Sequence, residues 1–129
     1  MEISEESPET YFLVGPKDYD MWGIQVASID KKHDVTTKDK EIVITKEITN
    51  KEATVIEISE DEKATIYCDK NKVKKIVFNY ITVEKTGSGR YSVKLNKKPS
   101  TQDTIVYSFA FVNSDGISPA TIFLNKKGL

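Results

Sequence analysis

The side chains able to do catalytic chemistry are few in this sequence. His33 is the only histidine, Cys68 the only cysteine and Arg90 the only arginine among 129 residues. A Ser-His-Asp or Cys-His relay would have to use His33, which lies beside Asp34 in a charged segment, and no Gly-x-Ser-x-Gly nucleophile context occurs. A structural zinc site needs several His or Cys ligands, and one of each is too few. We therefore expect no catalytic residue, no metal, no cofactor and no enzymatic activity.

Three further segments have residue types that occur in binding sites. Gly87-Ser88-Gly89 does not lead into a helix, which indicates a turn and not a phosphate cradle. Asp69-Lys70-Asn71 has the first and third positions of a calcium loop but lacks the following acid, glycine and glutamate, so a turn is again expected. The adjacent carboxylates of Glu60, Asp61 and Glu62 are typical of a solvated loop more than of a glycosidase pair.

Charge and hydropathy narrow the possible partners. The 19 basic and 20 acidic residues are interspersed and give a net charge of -1, so no broad basic face is predicted. Because arginine is almost absent, we expect no nucleic-acid partner. The N-terminus lacks the basic stretch and apolar core of a secretory signal, and no apolar run approaches the ~20 residues that span a bilayer, so no membrane is expected either. The lone Cys68 excludes an intrachain disulfide, and its neighbours place it as a small buried strand residue.

Short strands must position whatever surface the protein uses. Residues 1–10 are acidic and predict a flexible N-terminal arm, and residues 11–129 predict one domain. Within that domain Trp22, Ile24 and Val26 share one face at period two, which makes Trp22 an expected core residue. No helix of ten or more residues is expected. Strands are predicted at 11–14, 21–29, 41–45, 53–59, 64–68, 73–84, 91–95, 103–112 and 120–124, which indicates an all-β sandwich or barrel.

The C-terminal third has the most specific pattern. A glycine hairpin leads into an aromatic strand at 87–93, and an aspartate begins a strand with alternating aromatics at 103–109. An Asp-Gly turn at 115–116 then precedes the last strand at 120–124, in which a buried row of Ala120, Ile122 and Leu124 is expected to pair back as the adjacent antiparallel strand. This order, over roughly residues 83–124, resembles the closing strands of bacterial immunoglobulin-like and cadherin-like modules. The resemblance implies an immunoglobulin-like antiparallel β-sandwich. No acidic set matches the calcium ligands of true cadherins.

One strand face in this region is unusual. Opposite the row formed by Ile105, Tyr107, Phe109 and Phe111, the strand presents small and apolar residues where a solvent-facing strand normally has charge. Either a loop or the N-terminal arm covers this face, or it contacts another molecule. We take it as a candidate partner interface, formed by Val106, Ala110, Val112 and Phe123.

These observations predict a non-enzymatic structural or binding module. The first candidate is a bacteriophage virion protein, either capsid-decorating, head-associated or tail-associated. Its expected partners are other protein subunits, through self-association or a capsid or tail protein, and its expected location is the virion, assembled in the host cytoplasm. The alternative is an adhesion or carbohydrate-binding module of a bacterial surface protein. The absence of a signal and of disulfides and the apparently natural termini favour the virion.

Overall fold

The computed structural model describes residues 1–14, 20–30, 32, 35–59, 62–98, 103–113 and 115–124. His33, Asp34, Glu60 and Asp61 of the predicted charged loops lie outside these residues. The elements are β1 (Glu2–Ile3), β2 (Glu9–Leu13), β3 (Asp20–Asp30), β4 (Val35–Val43), α1 (Lys46–Thr49), β5 (Ala53–Ser59), β6 (Glu62–Asp69), β7 (Lys72–Val77), β8 (Ile81–Gly87), β9 (Arg90–Leu95), β10 (Thr104–Asn113) and β11 (Gly116–Leu124).

The strands form two packed sheets, which confirms the prediction of an all-β sandwich. One sheet has five strands in the order β1-β11-β10-β3-β4, and the other has six in the order β2-β9-β8-β7-β6-β5. Neighbouring strands are antiparallel except β1 and β11, which are parallel. No helix in the described part of the chain has the length and apolar character needed to cross a membrane.

Aromatic rings fill the space between the sheets. The predicted row on β10 is buried, and Ala120, Ile122 and Leu124 of β11 are buried beside it, as expected. From the six-stranded sheet, Phe78 lies 4.7 Å from Tyr107 and Phe12 lies 5.9 Å from Phe111, measured between ring centroids. Period-two burial on β10 therefore gives the core one continuous aromatic layer.

The β-rich run at 73–84 is not one strand, as the sequence predicted, but two. β7 ends at Val77 and β8 begins at Ile81, and the Phe78 N–H donates to the Ile81 carbonyl across the turn at 2.8 Å. The Asn96 side-chain amide also donates to the Phe78 carbonyl at 2.9 Å. Phe78 and Ile81 are both buried and are three residues apart in the chain. In a single strand, residues three apart point to opposite faces, so one strand could not bury both on the same face.

The expected turn at 69–72 is present. Lys70 and Asn71 both have positive φ angles, 52° and 65°, which is the backbone of the tight turns that join antiparallel strands. The turn connects β6 to β7, whose strands pair from Asp69 and Lys72 inward. The segment that shares two positions with a calcium loop is thus a hairpin turn, as expected.

Both ends of residues 1–10, which were expected to be a flexible arm, pair with strands of the sandwich, whereas residues 5–7 between them are exposed. Ile3 is fully buried and pairs with Leu124, and the N-terminal amine donates to the Thr121 carbonyl at 3.2 Å. β2 begins at Glu9, two residues earlier than predicted. The reason for the placement is that β11 offers both an open edge and an apolar site, and Ile3 supplies the apolar side chain that this site accepts.

Candidate functional site

The candidate interface residues lie on the outer face of the five-stranded sheet, and all four are half-buried. Val106 and Phe123 are direct cross-strand partners on β10 and β11. Ala110 and Val112 lie further along β10, beyond the polar cross-strand pair formed by Ser108 and Thr121. The structure therefore brings the four residues to one face but separates them into two apolar pairs.

Trp22 does not occupy the core, and the sequence prediction for it was wrong. Its side chain is 52% exposed, whereas Met21 and Ile24 on either side are buried. The pairing of β3 with β10 shifts between Phe111, which faces Met21, and Ala110, which faces Gly23. Trp22 is the extra residue of this β-bulge, and the bulge turns its indole to the outer face.

The bulge places Trp22 beside an apolar row that crosses four strands. One residue from each strand forms this row, and each is the cross-strand neighbour of the next: Val43 on β4, Gly23 on β3, Ala110 on β10 and Pro119 on β11. Val43 is 53% exposed, as open to solvent as Trp22. Cross-strand neighbours on one face lie within side-chain contact, so this row and the indole form one apolar surface. We call it the outer patch.

The outer patch borders a groove of about 240 Å³. Trp22, Val43 and Pro119 lie along its apolar side. The next cross-strand row is polar, and Glu41, Gln25 and Ser108 from that row also line the groove. The groove therefore combines one exposed indole with side chains that can donate and accept hydrogen bonds.

Ile117 extends the apolar surface toward the end of the sheet. It is 65% exposed and is the cross-strand partner of Val112. The predicted last strand began only at Ala120, so Ile117 and Pro119 were missed. Val43 was missed as well; it follows the buried Ile42 on β4 and is 53% exposed.

The described residues hold no cluster of three or more His, Cys, Asp or Glu side chains able to bind a metal ion. Cys68 is half-buried on β6, and its Sγ donates to the Ile48 carbonyl at 3.6 Å. Burial raises the pKa of the Cys68 thiol. The thiol is therefore mostly protonated at neutral pH, which makes it a poor nucleophile.

A second depression of about 490 Å³ lies next to α1 and the β6–β7 turn. It is lined by side chains of both charge signs, among them Lys51, Glu52, Asp69 and Lys74. Neither sign dominates, so its electrostatics favour no particular ion.

Comparison of the chain with protein families, curated proteins and solved structures finds no match.

Proposed function

We propose that this chain is a non-enzymatic binding module with immunoglobulin-like topology, and that the outer patch binds a protein partner. The strand orders support the topology. Immunoglobulin domains place strands G, F and C in one sheet, with C′ added in the variable type, and strands B, E and D next to one another in the other sheet. The orders β11-β10-β3-β4 and β2-β9-β8 correspond to these, and β5, β6 and β7 then extend the second sheet.

The observation that carries the binding proposal is the exposure of large apolar side chains on one continuous face. Trp22, Val43 and Ile117 are each more than half exposed, and in the described residues they share the outer side of the five-stranded sheet. Contiguous apolar surface of this kind marks interaction sites in soluble proteins. Trp is also the residue type that most often dominates the binding energy of an interface.

The partner that we propose is another protein of a bacteriophage particle, either a second subunit or a capsid or tail protein. The single cysteine supports this proposal, because it allows no disulfide within the domain, as is usual for proteins that fold inside a cell. It is tested by antibody detection of the chain in purified virions. A chain that is absent from virions but present on a cell wall would overturn it.

Substitution by lysine tests which part of the outer face binds the partner. Trp22→Lys should abolish attachment to the partner, and Phe123→Lys tests the separate pair with Val106. Tyr11→Lys is the matched control, because Tyr11 is 65% exposed but belongs to β2 in the other sheet. Attachment that survives Trp22→Lys and Phe123→Lys together would remove this face from the proposal.

A carbohydrate ligand is the second candidate, and the groove beside Trp22 favours it. An exposed indole offers a flat apolar surface for a sugar ring, and Gln25 and Ser108 supply hydrogen-bonding groups next to it. Trp22 is the only tryptophan, so fluorescence excited at a wavelength that tyrosine does not absorb reports on this groove alone. Titration with a panel of oligosaccharides should change the emission if a sugar binds. An unchanged emission across the panel would leave the protein partner as the sole proposal.

A further inference from the structure

The edge strand β5 differs from the three other edges of the two sheets. β1 is two residues long, β2 follows directly after Pro8, and β4 contains consecutive charged residues up to Glu41. Short length, proline and charge are the features that normally prevent an edge strand from pairing with another chain. β5 has the sequence ATVIEIS, which lacks proline, glycine and lysine and is rich in β-branched residues.

The backbone of β5 has an unused hydrogen-bonding side. Among the described residues β5 pairs only with β6. The Cys68 N–H donates to the Glu52 carbonyl at 3.0 Å. In antiparallel pairs the residues that bond to the neighbour alternate with those that do not. Counting from Glu52, the backbone groups of Ala53, Val55 and Glu57 therefore point away from β6.

These three residues also define the regular part of the strand. The pairing of β5 with β6 is continuous from Ala53 to Glu57 and shifts register before Ser59. Val55, at the middle of this segment, is 61% exposed. Residues 53–57 are thus a regular segment whose outward backbone groups do not bond to β6, with the exposed Val55 at its centre.

We propose that a second copy of this chain pairs its own β5 with this edge, antiparallel and about a two-fold axis at Val55. Val55 then faces Val55 of the second copy, and Ala53 faces Glu57 in both directions. All three pairs are in hydrogen-bonding register, since each joins residues whose backbone groups point outward. The two six-stranded sheets become one continuous sheet across the dimer.

Charge supports a second copy as the occupant. Glu57 is the only charged residue of β5. In this register its carboxylate faces Ala53 of the second copy, so the two Glu57 carboxylates do not face each other. Lys51 is exposed and lies two residues before Ala53, so its long side chain can reach the second copy's Glu57, which faces Ala53. The two-fold axis repeats this opposite-charge contact at both ends of the paired segment. The edge is therefore complementary to itself.

The paired segment is short, so the dimer should be weak. Contacts burying less than about 1,000 Å² belong to the weak or transient class, and we expect dissociation in the range of about 10 μM to 1 mM. Sedimentation equilibrium over that range measures it. The wild-type chain should shift from monomer to dimer as its concentration rises.

Charge substitution at the axis tests the register. Val55→Lys and Val55→Glu each place two like charges face to face, and each should weaken association at least about tenfold. An equimolar mixture of the two variants should associate again, because Lys then faces Glu. Leu13→Lys is the matched control, since Leu13 is 63% exposed on β2, at the opposite edge of the same sheet, and should associate like the wild type.

Three results would overturn the proposal. A wild-type chain that stays monomeric at about 1 mM excludes the dimer, and a Val55→Lys variant that associates like the wild type moves the contact elsewhere. If the equimolar mixture of Val55→Lys and Val55→Glu does not associate, the two-fold register at Val55 is excluded. Circular dichroism of each variant verifies that it is folded. The edge and the outer patch lie on different sheets, so failure here leaves the proposed function untouched.

Discussion

Phe12 lies in the core and Trp22, the larger residue, lies on the outer face, so truncating each of them gives a direct comparison. Phe12→Ala removes a ring that joins the two sheets, because its centroid lies 5.2 Å from Tyr91 on β9 and 6.3 Å from Phe109 on β10. Trp22→Ala removes a larger ring that lies on the outer face. We expect the smaller residue to cost much more stability than the larger one.

The expected loss of unfolding free energy for each variant follows from how much of the side chain is buried. Phe12 is 6% exposed, and truncating a buried Phe to Ala lowers the free energy of unfolding by about 3–5 kcal/mol. Trp22 is 52% exposed. Since complete burial of a large apolar side chain contributes about 1.5–3 kcal/mol, we expect a loss of about 1 kcal/mol for Trp22→Ala. The two variants should differ by about 3 kcal/mol.

Urea unfolding followed by far-ultraviolet circular dichroism measures both variants, because Trp22→Ala removes the only indole and with it the fluorescence signal. For a slope of about 2 kcal/mol/M, the midpoint should fall by about 2 M for Phe12→Ala and by about 0.5 M for Trp22→Ala. Equal shifts, or a larger shift for Trp22→Ala, would refute the bulge and return Trp22 to the core.

Three further experiments test other parts of the structure. Deleting residues 1–3 should lower the free energy of unfolding by about 2–4 kcal/mol, because Ile3 is fully buried, and an unchanged thermal melt would show that β1 does not pair with β11. Asn96→Ala should cost about 1–2 kcal/mol in urea unfolding, since its side chain bonds the Phe78 carbonyl at 2.9 Å and accepts from the Thr82 hydroxyl at 2.7 Å. Cys68 should react with a thiol reagent more slowly than a free cysteine peptide at about pH 8, because burial raises its pKa, and the rate should rise as more alkaline pH forms the thiolate; a rate equal to that of the peptide would contradict the burial.

The C-terminal strands could be predicted because their signals are local. Turn residues separate β10 from β11, and period-two alternation assigns each residue of β10 to one face. The adjacency of the two strands and the buried rows on both were therefore correct. The candidate face around Val106 and Ala110 follows from the same alternation, which is why its location could be proposed before the exposed residues beside it were known.

The bulge at Trp22 and the unpaired edge at β5 depend on which strands are neighbours, and a single sequence does not contain that information. The bulge at Trp22 is a mismatch between β3 and β10, whose paired residues are more than 70 positions apart in the chain, as with Ile29 and Thr104. Gly23 next to Trp22 was the one local signal, because glycine inside a strand often marks a bulge. The open edge at β5 likewise appears only when the order of all six strands is known.

The parallel pair of β1 and β11 has a consequence for the order of folding. Met1 bonds to Thr121, 120 residues further along the chain, so β1 and β11 meet only when a loop of that length has closed. Closing so long a loop is slow, and topologies dominated by distant contacts fold in milliseconds to seconds. Ile3 stays exposed until β11 is in place, so β1 is added to the edge of the five-stranded sheet only after β11 has joined it.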